Sequence, residues 1–223
     1  MANIAALKVA SEVQALHHKT RFPSLPLPAI KSLFENGLPR GIVAEINGRR
    51  SSGRTSLSLH VLAQATARHE VCAVVDLQDN FHPASAVLAG VQLEQLVWVR
   101  CQGNAEHAIR ATDLLLHAGG FGVIVLDLCE ANARLLNRIP LSYWYRFRRA
   151  LEHTPTILLV CAESAQAKAS SLNRLQLKAK GFHWAGRAPS LLLRGLETTV
   201  GTSAFHSQAG LHVRVCVSSR LSN

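Results

Sequence analysis

Residues 48–55 read Gly48-Arg49-Arg50-Ser51-Ser52-Gly53-Arg54-Thr55, two glycines separated by a short polar stretch and followed by a cation and a hydroxyl. Glycine permits a tight turn and close backbone approach to a ligand. The N–H groups of such a turn, at the positive end of a helix, attract phosphate. A cation in the seventh place suits outer phosphate oxygens, and the Thr55 hydroxyl suits a magnesium ion. The implied chemistry is nucleotide binding by Gly48, Arg49, Arg50, Ser51, Ser52, Gly53, Arg54, Thr55 and Ser56, with ATP and magnesium as the expected ligands. A Gly/Ser-rich turn that caps a helix without a ligand has the same composition. Loops of this kind ordinarily carry lysine where Arg54 stands. A planar, forked guanidinium is not an equivalent donor.

A second element fits the first. Val123-Ile124-Val125-Leu126-Asp127 is an apolar run ending in a carboxylate. It reads as a buried strand beside the one that leads into the loop. Asp127 there would orient the magnesium together with Thr55.

These residues need a scaffold, and the pattern supplies one. GIVAEIN at 41–47 reads as a strand, 55–69 as a helix, 71–76 as a buried strand and 82–88 as a short helix. Strand 96–100, helix 105–117 and strand 121–127 follow. Residues 131–151 read as a helix in two pieces broken before Pro140, and 154–161 as another buried strand. Near-continuous apolar strands alternating with helices predict an α/β fold, a mainly parallel sheet covered on both faces. Beyond Ala162, RLQLKAK, 190–200 and 211–219 alternate or run apolar and read as antiparallel strands added to the sheet edge. Residues 1–20 read as a helix. Three prolines between Phe22 and Pro28 stop it and read as a linker. The expected division is a helix and linker over 1–35 and a core with its β extension over 36–223.

The chain of 223 residues is 48% hydrophobic, enough for a buried core. No apolar run approaches the ~20 residues that cross a bilayer, and the start has no leader pattern, so a cytoplasmic protein without membrane contact is expected. The five cysteines form no CxxC pair and sit mostly in apolar runs, as reduced core thiols do. The histidines show no ligand cluster.

Net charge is +10. Between Glu130 and Glu152 there are five arginines and no acid; between Glu163 and Glu197 there are six basic residues and no acid. Such spans predict a polyanionic partner, with Arg146, Arg148, Arg149, Lys168, Arg174, Lys178 and Lys180 as candidate DNA contacts. A solvated surface that keeps the chain soluble would have the same composition. Within SYWYRFRR the spacing of Trp144, Phe147 and Leu151 turns those three toward the core and leaves the arginines outside. Trp184 reads as packing at the sheet edge.

GLPRGIVAEINGRRSSGRTSLSLHVLAQA at 37–65 resembles the RecA recombinase core, as do CAVVDLQDNFHPASAVLAGV at 72–91 and VIVLD at 123–127. The likeness covers roughly 36–162, and the short plan with its Gly-Arg-Thr-Ser loop end is more similar to the RecA-like ImuA group, to which the division inhibitor SulA is distantly related. The resemblance implies a RecA-type ATPase core and a role beside RecA and an ImuB-like polymerase in DNA damage-induced mutagenesis. DNA, RecA, the ImuB-like protein and further copies of the chain are the implied partners. It also implies departures. The position of the family's catalytic glutamate falls on Gln78, an amide that cannot take a proton at neutral pH. The glutamine that senses the terminal phosphate falls near Glu163. The segment after Asp127 is shorter than the loops that hold single-stranded DNA. An accessory protein with weak or absent ATP hydrolysis and no catalytic residue is expected. A DNA-dependent ATPase of recombinational repair and a SulA-like inhibitor are the alternative readings.

Overall fold

A computed structural model describes residues 22–28, 31, 36–167, 173–187 and 191–202, and the backbone of 211–216. The expected N-terminal helix and Lys168 lie outside the described residues.

Strands β1 (Ile42–Gly48), β2 (Cys72–Asp76), β3 (Leu96–Arg100), β4 (Val123–Asp127) and β5 (Ile157–Ala162) alternate with helices α1 (Arg54–Thr66), α2 (Pro83–Leu88), α3 (Ala105–Ala118), α4 (Ala133–Leu136) and α5 (Leu141–Leu151). Three long strands follow: β6 (Asn173–Ala185), β7 (Leu192–Thr202) and β8 (Leu211–Cys216). All eight form one sheet in the order β3-β2-β4-β5-β1-β6-β7-β8. The first six are mutually parallel. Only β7 and β8 run antiparallel to their neighbours. The first C-terminal strand therefore extends the parallel sheet, and the expected antiparallel edge begins one strand later. The order also corrects the placing of β4. It does not lie beside β1, because β5 is inserted between them and pairs with both.

Strand alternation divides the core into two layers. Ala44, Ile46, Val74 and Val125 face α1 through Leu57, Leu59 and Leu62. Val43, Val75, Ile124 and Leu126 face α3 and α5. On α5 the spacing of Trp144, Phe147 and Leu151 turns all three inward, each at most 2% exposed. Trp144 meets Phe147 edge-on at 5.8 Å between ring centroids. Pro140 starts this helix because its fixed φ suits a helix entry and its missing N–H breaks the preceding turn. Asn104 caps α3 by accepting from the Glu106 and His107 amides.

The proline-rich segment is irregular, as its prolines require, but its leucines are buried. Leu25 and Leu38 exchange backbone hydrogen bonds at 2.9 and 2.7 Å, and Leu25 and Leu27 join the α1-side core. Beneath them Arg40 gathers the entry ends of four strands. Its guanidinium donates to both Glu70 oxygens, at 2.6 and 2.8 Å, and to the Gly122 and Pro155 carbonyls. These residues precede β1, β2, β4 and β5.

Among the described residues no helix is long and apolar enough to cross a membrane. Cys72, Cys101, Cys129 and Cys161 are free thiols; all but Cys129 are buried.

Candidate functional site

The segment between β1 and α1 forms a compact turn at the C-terminal end of the sheet. A β-carbon at Gly48 would collide with Ser52 Oγ and stand 2.6 Å from the Leu177 carbonyl, so only glycine fits that position. Gly53 has φ of 94°, the left-handed conformation that glycine adopts without cost, and directs the chain into α1. The far side of the turn is fixed from β7: Thr198 Oγ1 donates to the Ser52 carbonyl at 2.9 Å. Arg49 and Arg50 are exposed, while Ser52 and Arg54 are buried.

The turn borders a cleft of about 690 Å³. Arg50, Ser51, Gly53, Arg54, Thr55 and Ser56 form one wall. Asp127 and Glu130 approach from the end of β4, and Asn80, His82 and Ser85 from the β2–α2 connection. Phe182, Leu193 and Leu196 of the β6–β7 ribbon form an apolar lip. Phe182 is 47% exposed there, and Trp184, two residues on, is 57% exposed. Trp184 is not packed away as its sequence suggests; it is exposed where the pairing of β6 with β7 shifts register between His183 and Trp184.

Charge within the cleft is concentrated. Arg54 Nη2 donates to Glu130 Oε1 at 3.2 Å, and Arg50 Nε meets Glu130 Oε2 at 2.6 Å. Arg54 Nη1 is buried and has no hydrogen-bond partner among the described residues. A buried donor without an acceptor is costly, so this atom of a cleft-lining side chain marks a place for an anion. Ser52 Oγ is also buried without a partner, but it packs against Gly48 beneath the turn and does not line the cleft. With the glycine-built turn at a helix start, Arg54 fits the phosphates of a nucleotide. Asp127 faces the cleft and accepts from the Cys129 amide at 2.9 Å. Burial pushes its carboxyl above the ordinary range, against the contacts with Cys129 and the charge of Arg54. With the exposed Thr55 hydroxyl it supplies the oxygen ligands that magnesium takes.

Gln78 does not line the cleft. A β-carbon built at Gly103, in the β3–α3 turn, would lie 3.8 Å from Gln78 Oε1. Asp76 causes this. Its buried carboxylate accepts from the Asn80 and Phe81 amides at 3.1 and 2.7 Å and from Trp98 Nε1 at 3.3 Å. The connection is thereby folded so that Asn80, His82 and Ser85 enter the cleft. Asp79, in a left-handed conformation, turns toward Arg100 at 3.1 Å.

The candidate DNA contacts lie elsewhere. Arg149 is exposed and Arg148 half-buried on α5. Arg146 pairs with Asp113 at 2.6 Å and lies 5.6 Å from the Tyr143 ring centroid. On β6, Leu175 and Leu177 point into the α1-side core. Arg174 and Lys178 therefore point to the other face, the one that α5 covers. Lys178 and Lys180 are exposed. Arg174 is committed to the buried Glu45, with Nε and Oε2 2.8 Å apart.

Glu130, Thr198, Asp76, Glu45 and the aromatic lip were not legible as site residues. Glu130 had the one available signal, an acid three residues after Asp127. The others depend on strand pairings that the sequence does not display.

This sheet order, with a glycine-built loop after its first strand and a carboxylate at the end of an inserted-neighbour strand, is that of a RecA-type α/β core. The family model for the RecA N-terminal domain matches residues 21–136, more than half of the chain, and the chain belongs to that family. It is 42% identical over 100 residues to "Protein RecA" of Methylobacterium sp. (strain 4-46), covering 45% of this chain and 27% of that protein. It is 35% identical over 95 residues to "Protein RecA" of Rickettsia canadensis, covering 43% and 27%. With "Protein RecA" of Brucella anthropi it is 40% identical over 100 residues, covering 45% and 27%. The match thus spans about a quarter of the length of these relatives.

Proposed function

We propose that this protein is a RecA-like accessory factor of DNA damage-induced mutagenesis and translesion synthesis. It binds a nucleotide with magnesium, hydrolyses it weakly or not at all, and acts in the cytoplasm by contact with DNA, RecA or an ImuB-type polymerase partner. The observation that carries this reading is the pairing of a well-formed phosphate loop with an amide, Gln78, turned out of the cleft. The loop geometry, the unpaired Nη1 of Arg54, and Asp127 with Thr55 support binding. A general base contributes roughly 10²–10⁴ to a rate, so a site lacking one at the expected position retains its ligand longer than it converts it. The mutagenesis role rests on the likeness of 37–65 and the short plan to the ImuA group. The basic face of α5 and β6 supports nucleic acid or a nucleoprotein filament as partner.

The test has two arms on the full chain. ATP turnover is measured with and without single-stranded DNA; the expected rate is at least ~10²-fold below that of a RecA protein under the same conditions. Pull-down with RecA and with the ImuB-like protein then asks for a partner. Turnover comparable to RecA removes the accessory reading in favour of a DNA-dependent ATPase. Retention of neither protein and no binding of DNA removes the mutagenesis role.

A further inference from the structure

The Glu130 carboxylate bridges the two cleft-facing arginines of the phosphate loop. One oxygen meets Arg54 Nη2 at 3.2 Å and the other meets Arg50 Nε at 2.6 Å. Arg50 is largely exposed, but Arg54 is buried, so the bridge reaches from solvent to the floor of the cleft. Glu130 itself holds φ of 62°, a conformation that non-glycine residues rarely adopt. The chain bends there so that this side chain returns over the loop. A carboxylate on a guanidinium presents the same planar pair of acceptors as two oxygens of a phosphoryl group. The cation of such a loop ordinarily reaches the outer phosphates of a nucleotide. Here one half of the fork is taken by the protein's own acid. The other half, Nη1, remains buried and unpaired beside the turn.

We infer that Glu130 is a specificity-determining residue that stands in for the terminal phosphate, so that the site takes a nucleoside diphosphate and discriminates against a triphosphate. This rests on the nucleotide-binding reading given above. A diphosphate places its outer group toward Arg54 Nη1 and the turn amides, and leaves the Glu130 bridge intact. A third phosphoryl group meets the two loop arginines already held by Glu130. It must either displace Glu130 from both arginines or lie against its charge, and like charges juxtaposed in a partly dry site weaken binding. Lysine in place of Arg54 would offer no second, separately directed nitrogen, so the arginine and Glu130 act together.

The test is equilibrium binding of ADP and of ATP to the full chain at one fixed magnesium concentration, for the wild type and for Glu130→Gln. The wild type is expected to bind ADP at least about tenfold more tightly than ATP. Glu130→Gln, which keeps the shape and removes the charge, is expected to bring the two affinities within about threefold, mainly by tightening ATP. ATP bound as tightly as ADP by the wild type overturns the inference without any variant, and so does an ADP preference that survives Glu130→Gln. Absence of binding by either nucleotide to wild type and Glu130→Gln alike overturns the nucleotide-binding reading itself. Binding with equal affinities leaves that reading standing and removes only the role of Glu130.

Discussion

Glu45, wholly buried in β1, receives Arg174 Nε of the neighbouring β6 at 2.8 Å. Its other oxygen accepts from the Gln166 and Ala167 amides at 2.8 and 2.7 Å. One carboxylate thus fixes both the parallel addition of β6 and the start of the β5–β6 connection. A buried acid whose partners remain after its removal is costly to lose. Glu45→Ala is expected to destabilise the fold by about 3 kcal/mol in urea unfolding. Glu45→Gln, which still offers an acceptor oxygen, should cost less than half of that. Equal stability of Glu45→Ala and wild type would show that the β6 junction stands on backbone pairing alone.

Arg40 predicts a comparable loss at the entry end of the parallel strands. It is 4% exposed and joins Glu70 bidentately while also serving two strand-entry carbonyls. Arg40→Met is expected to destabilise by about 3 kcal/mol, since it leaves the Glu70 carboxylate with only the half-exposed Arg68 at 3.7 Å and takes a donor from the Pro155 carbonyl. Arg40→Lys should recover little, because one ammonium cannot reproduce the fork. Thermal melting decides it: about 2–4 °C of midpoint is lost per kcal/mol in a chain of this size. A midpoint unchanged by Arg40→Met contradicts the clamp.

Asp127 carries a pH dependence whose sign follows from its environment. Burial raises its folded pKa above the ordinary carboxylate value of 3.8. Between these two values the folded chain binds more protons than the unfolded one, so this group's contribution to stability falls as pH rises through that window. At neutral pH the charged carboxylate is a standing cost. Asp127→Asn is therefore expected to raise the melting midpoint by a few degrees at neutral pH and to give no gain below the ordinary carboxylate pKa. The same variant should abolish the effect of magnesium on nucleotide binding. A destabilised Asp127→Asn at neutral pH would assign the carboxylate a structural role in place of a metal-binding one.

Much of this was legible from the chain. The strands β1 to β5 announce themselves because each is a short apolar run, and a parallel sheet buried on both faces demands that pattern. The break in 131–151 follows from Pro140, and the inward set Trp144, Phe147 and Leu151 from helical spacing. The loop 48–55 is a local motif whose glycines have local causes. What stayed hidden depends on distant pairing. The insertion of β5 between β1 and β4 is a matter of strand order, which no local residue records. Thr198 reaches Ser52 only because β7 folds back along β6. The outward turn of Gln78 depends on Asp76 collecting the Asn80 and Phe81 amides, a geometry with no sequence signature. Trp184 reads as packing at the sheet edge, yet it is exposed beside a register shift in the β6–β7 pairing that no local residue records.

The last prediction concerns the basic face and separates it from the cleft. Arg148 and Arg149 lie on α5, and Lys178 shares the sheet face that α5 covers, opposite the α1 layer. Arg174 is held by Glu45 and Arg146 by Asp113, so their charges are partly compensated. The exposed Arg149 and Lys178 should then carry more of any contact with a phosphate backbone. Each such contact releases counterions, so log affinity for single-stranded DNA falls with log salt by roughly 0.7 per phosphate neutralised. The double variant Arg149→Ala, Lys178→Ala is expected to weaken binding at low salt and to reduce that slope by about 1.4, equally for unrelated sequences. Arg54→Ala, on the other side of the sheet, should leave both quantities unchanged. Fluorescence anisotropy of labelled oligonucleotides across a salt series measures them. A slope that drops with Arg54→Ala and not with the double variant would move the nucleic-acid contact to the phosphate loop. Wild type that binds no oligonucleotide at low salt would leave protein surfaces alone as the partners of this face.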